Sequence, residues 1–137
     1  MGTKIKKIFF FLLMLFLMSF AVNAENPDNP EWKYVGLSDD FLNSIHLPSI
    51  KETTDKTGAR YVEFWLSFIF FDPSKFSGID ETKWRVVMDC TERSYSIYNV
   101  ISYDVNGKPV KSYISKTRHD PIIPDSIMET AYNFVCK

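Results

Sequence analysis

Histidine, cysteine and glycine are scarce in this chain of 137 residues, which holds two, two and five of them. Each shortage closes off a class of chemistry. Neither His46 nor His119 falls in an HxH or HxxxH spacing that would bring two imidazoles to one metal. His119 and Asp120 adjoin, but a catalytic base and the carboxylate that orients it normally meet from separate elements, so both histidines read as loop polar groups. There is no CxxC and no glycine-rich phosphate loop. The acids gather in SDD and GIDETK as solvated loop carboxylates, with nothing to mark a general-acid pair. The reading is therefore a protein that is not an enzyme and uses neither cofactor nor metal. A basic excess is missing as well: the formal net charge is −1, so no nucleic-acid partner is expected.

Only one long hydrophobic run exists, and it is at the start. Lys4, Lys6 and Lys7 precede an apolar run of 13 residues, 8–20, and Val22 and Ala24 supply small residues after it. That order is a signal peptide's, with cleavage after Ala24. The run falls short of the roughly 18 residues a membrane span needs, so the mature chain is expected to have no integral span. Glu25 follows where a lipid-accepting cysteine would stand, so no lipid anchor is expected. The chain divides into a signal peptide (1–24), a polar linker with Pro27 and Pro30 (25–31), and one domain (32–137). Cleavage removes three lysines and no acid, leaving a more acidic product.

Export, in the periplasm or at the cell surface, gives the two cysteines a meaning. In an oxidising compartment two cysteines in a small domain imply a disulfide, and Cys90 to Cys136 is the one intramolecular pairing. Closing a loop of that length contributes about 4 kcal/mol in the chain-entropy description.

Alternation along the chain supplies the strands. WKYVGL, from Trp32, reads as the first. A short extended piece follows around residues 45–47, then Pro48 and a polar turn at 53–58. The strongest strand is 61–71. Its even positions, Val62 to Phe70, are all apolar, and its odd positions include Tyr61, Trp65, Ile69 and Phe71. With both faces largely apolar, this strand is expected to be covered on both sides, by a helix on one and by sheet curvature, the N-terminal strand or a second subunit on the other. Trp65, Ile69 and Phe71 are the candidate face for a homodimer. After a polar loop at 72–83, WRVVMDC places Trp84, Val86, Met88 and Cys90 on one face. Residues 91–93 turn the chain into SYSIYNVISYDV, and Asn106-Gly107 joins that strand to KPVKSYISK as a meander.

The last segment changes period. Ser126 and Glu129 fit a capping box, and Met128, Ala131, Tyr132 and Val135 recur at helical spacing. The helix is too short to stand alone, so packing must hold it, and Cys136 pins it to the sheet face that carries Cys90, Met88 and Val86. The fold class is α+β, an antiparallel β-sheet with a C-terminal α-helix tethered to one face by a disulfide.

Residues 107–119, GKPVKSYISKTRH, carry Lys108, Lys111, Lys116 and Arg118 with no acid before the adjoining Asp120. Such lysines either protect a sheet edge from aggregation or meet an acidic glycan or protein segment, with Tyr113 as an aromatic contact.

Taken in order, EWKYVG, SIHLPSIK, VEFW, MDC, a tyrosine-rich strand ending at NG, and PIIPDSI with a terminal VCK resemble the surface-adhesin protein E family. The resemblance runs from about Trp32 to Lys137. It implies a curved antiparallel sheet with a disulfide-tethered helix, a homodimer, and binding to host matrix proteins such as laminin or vitronectin at the outer membrane of a Gram-negative pathogen, a virulence role. The runner-up reading keeps the fold in a periplasmic envelope or interaction protein without the adhesin role.

Overall fold

The computed structural model describes residues 30–115 and 119–137. The expected signal peptide, most of the expected linker, Lys116 and Arg118 lie outside the described residues. Among the described residues eight strands are followed by one α-helix: β1 (Trp32–Leu37), β2 (Phe41–His46), β3 (Lys51–Thr54), β4 (Arg60–Phe70), β5 (Ile79–Asp89), β6 (Ser94–Asp104), β7 (Pro109–Ile114), β8 (Asp120–Pro121) and α1 (Ile127–Val135). Every strand pairing is antiparallel, in the order β1-β2-β4-β5-β6-β7. β3 takes up the edge of β4 where β2 leaves it, and β8 does the same for β7 along β6. The expected meander is β5-β6-β7, turned at Asn106 and Gly107 as the sequence indicates.

Alternation on β4 builds the core. Val62, Phe64 and Leu66 are fully buried and pair across β5 with Met88, Val86 and Trp84. The stripe of α1, Met128, Ala131, Tyr132 and Val135, closes on this face. β1 at the sheet edge also touches α1, and Val35 joins the core, so the sheet bends around the helix on that side.

Cys90 and Cys136 are bonded, with Cα atoms 5.5 Å apart. Their backbone carbonyls are each held by a side chain from elsewhere: the Tyr132 hydroxyl donates to Cys90 O at 3.0 Å, and Arg60 Nη1 donates to Cys136 O at 2.7 Å. The bridge therefore sits inside a hydrogen-bonded clamp joining β4, the β5–β6 turn and the end of α1.

Three expectations need correction. The strand expected from Trp84 begins at Ile79, because Glu81 and Lys83 of IDETK have partners on the far sheet face: Ser67 Oγ donates to Glu81 Oε1 at 2.6 Å, and the Lys83 ammonium lies over the rings of Trp32 and Tyr103 at 5.3 and 5.0 Å. The turn expected at 53–58 narrows, since Thr53 and Thr54 belong to β3; Asp55 Oδ1 ties it by accepting from the Thr57 and Ala59 amides, and Gly58 takes a left-handed φ of 87°. The short extended piece expected around 45–47 starts earlier, at Phe41, and Leu47 enters a 3-10 turn.

The far face of β4 is also wetter than the apolar count suggests. Glu63 and Ser67 alternate with Trp65 and Ile69 there, and Arg85 clamps Glu63 through Nε and Nη2, both at 2.6 Å. Ser44 and Ser67 are buried on this face, and Trp32 from β1 reaches over it to Lys83, so the N-terminal strand supplies part of the cover.

Candidate binding groove

A nine-residue helix rises about 14 Å, whereas an 11-residue strand runs about 36 Å. The helix cannot cover the whole length of β4, and the face it leaves open is a groove of about 550 Å³. Its floor is made by Phe68 and Phe70 of β4, Trp84 of β5 and Val100 of β6. Phe41 packs edge-on against both phenylalanines, with ring centroids at 5.5 and 6.0 Å, and Phe68 and Trp84 lie 4.3 Å apart. The lead into α1 and the first turn of the helix form one wall through Ile123, Ile127 and Met128. Among the described residues no aspartate or glutamate lines the groove.

The polar groups in it form a row. Lys111 of β7 pairs across to Ser102 of β6, which pairs across to Thr82 of β5, which pairs across to Phe68 of β4. Cross-strand partners point to the same side of a sheet, so an ammonium, two hydroxyls and an aromatic ring follow one another along a line. The hydroxyls of Thr82 and Ser102 are 3.0 Å apart. One of them donates to the other, which leaves a second hydroxyl hydrogen to serve the groove. Tyr113 stands beside Lys111 on the same side, and the Lys111 ammonium is 5.5 Å from its ring centroid. Tyr95 lines the groove nearer the helix, and burial pushes its phenol pKa above the ordinary tyrosine value, with the Asp120 carboxylate adding to the rise.

Of the residues named from sequence, the structure brings Lys111 and Tyr113 to the groove mouth. Lys108 stays at the hairpin tip, its amide donating to Asp104 Oδ1 at 3.0 Å. All of β7 is exposed and forms a free edge of the sheet. On the opposite sheet face Trp65 and Ile69 are half-buried, and Phe71 lies beyond the end of β4, exposed. His46 packs on Trp32, with centroids 4.8 Å apart and Glu31 at 3.7 Å, while His119 Nδ1 lies 3.3 Å from Ser96 Oγ. Among the described residues no group of three or more His, Cys, Asp or Glu could hold a metal ion.

The aromatic floor and the hydroxyl pair escaped the sequence reading. Alternation did put Phe68, Phe70 and Trp84 on the helix-bearing face, and the shortness of the helix was visible too. Comparing the two lengths would have exposed the gap.

A family model described as surface-adhesin protein E matches residues 32–137. No curated protein and no solved structure gives a match.

Proposed function

The chain belongs to the surface-adhesin protein E family, and from that membership we propose that it is an exported, non-enzymatic adhesin whose β7 rim engages a host surface protein. Residues 1–24 act as its signal peptide, cleaved after Ala24. No helix among the described residues is long and apolar enough to cross a membrane.

The observation that carries the choice of surface is the placement of Lys111 beside Tyr113 on an exposed strand, at the mouth of an apolar groove whose described lining holds no acid. An acidic segment of a host protein gains charge attraction from Lys108 and Lys111, and Tyr113 offers it an amphipathic ring. Matrix proteins such as laminin or vitronectin are the partners the family reading implies.

Capture of immobilised laminin and vitronectin by wild-type protein, and by a Lys108→Glu/Lys111→Glu variant, tests this. Reversing two rim charges should weaken capture about tenfold or more, since each exposed contact contributes up to about 1 kcal/mol and reversal turns attraction into repulsion. The melting midpoint should stay put, because both residues are exposed. Undiminished capture would reject β7 as the binding rim.

A further inference from the structure

We propose that the groove beside α1 binds a free long-chain carboxylate. The site has the two-part chemistry of that ligand. At the β7 end stand the Lys111 ammonium and, one and two strands inward, the hydroxyls of Ser102 and Thr82. Beyond them the floor turns wholly apolar, from Phe68 and Trp84 toward Phe70 and Phe41. Ser102 is 4% exposed, so its hydroxyl is held in place by the sheet and does not sway in solvent. A carboxylate takes the ammonium and the spare hydroxyl hydrogen as donors, and its chain runs across the strands over the aromatic floor.

Charge complementarity selects the head group. Among the described residues Lys111 is the one charged residue lining the groove, with no acid beside it there, so an anion is favoured over a neutral or cationic amphiphile of the same length. The volume of about 550 Å³ falls within the range of roughly 300–1,000 Å³ typical of small-ligand clefts. A protein partner docked on the β7 rim shares Lys111 with this site but does not require the hydroxyl pair or the aromatic floor, so the two readings are separated through residues they do not share.

Of the three tryptophans, Trp84 lines the groove and provides the readout. Intrinsic fluorescence is followed while the purified, disulfide-bonded protein, carrying Trp32→Phe and Trp65→Phe so that the signal is that of Trp84, is titrated with dodecanoate, dodecanol or dodecyltrimethylammonium, each below its micelle or solubility limit. Dodecanoate should bind most tightly and the cation most weakly. Across decanoate, dodecanoate and tetradecanoate, affinity should rise by about fourfold per methylene until the floor is covered. Lys111→Met should weaken dodecanoate about tenfold and leave dodecanol unchanged. Lys108→Glu, at the hairpin tip outside the groove lining, should leave dodecanoate binding intact even if it damages host-protein capture, so the two proposals fail separately. Equal affinity for the three head groups, insensitivity to Lys111→Met, or a response only to phospholipid vesicles would overturn the assignment.

Discussion

At the scale of single residues, a few side chains decide whether the C-terminal end of the molecule stays closed. Arg60 donates to Cys136 O while its Nε and Nη2 hold Glu52 of β3, and Tyr132 donates to Cys90 O with the Arg93 guanidinium 4.5 Å above its ring. Tyr132→Phe keeps the packing and leaves the Cys90 carbonyl without this donor. It should cost about 1 kcal/mol in chemical denaturation, the usual worth of one such bond. Acid should act through the carboxylates that are hydrogen-bonded in the fold. The Arg60 hydrogen bond lowers the Glu52 pKa, and the Thr57 side chain and amide lower that of Asp55. A carboxyl whose pKa is depressed by folding contributes stability above its unfolded value, lost as pH falls through the folded one. The melting midpoint should therefore drop below about pH 4.5, and a Glu52→Gln/Asp55→Asn variant should show a shallower acid decline. An identical acid profile would mean that these two groups do not couple to folding.

At the scale of elements, α1 is the part least able to form alone. It has nine residues, an N-cap in Ser126, whose hydroxyl accepts from the Glu129 amide at 3.2 Å, and a C-cap in Cys136 that is also the disulfide. The capping box expected from sequence closes one residue early, since Glu129 Oε1 accepts from the amide of Asp125. Ser126→Ala should cost about 1 kcal/mol. Replacing both cysteines by alanine should cost about 4 kcal/mol and raise amide exchange first in α1. The strands show what a sequence makes legible. β4 could be read because its alternation is fixed by burial, and the helix because its stripe and cap are local patterns. β3 and the start of β5 could not, because KETT is fully exposed and Glu81, Thr82 and Lys83 of IDETK meet Ser67, Ser102 and Trp32, which are far away in the chain. The groove was hidden for a related reason. Its polar row depends on cross-strand register, which shifts by bulges at Arg85/Val86 and Ser102/Tyr103, and a single strand read by itself carries no information about either.

At the scale of the whole molecule, the two sheet faces serve different ends. The helix-bearing face combines a closed core with an open groove, and the basic β7 edge borders it. The opposite face is held by the Arg85–Glu63 pair and by Trp32, but leaves Trp65 and Ile69 half-buried and Phe71 exposed. We propose that a second copy packs there. Light scattering at micromolar protein should give twice the chain mass, and Trp65→Glu should return it to the single-chain value; a monomer throughout would reject the pairing. Adhesion itself depends on where the domain stands, so protease shaving of intact cells carrying a tagged copy, with a periplasmic protein as control, is the most direct test. Loss of the tag while the control survives is the expected result. Protection until the outer membrane is permeabilised would place the domain in the periplasm and contradict the adhesin function.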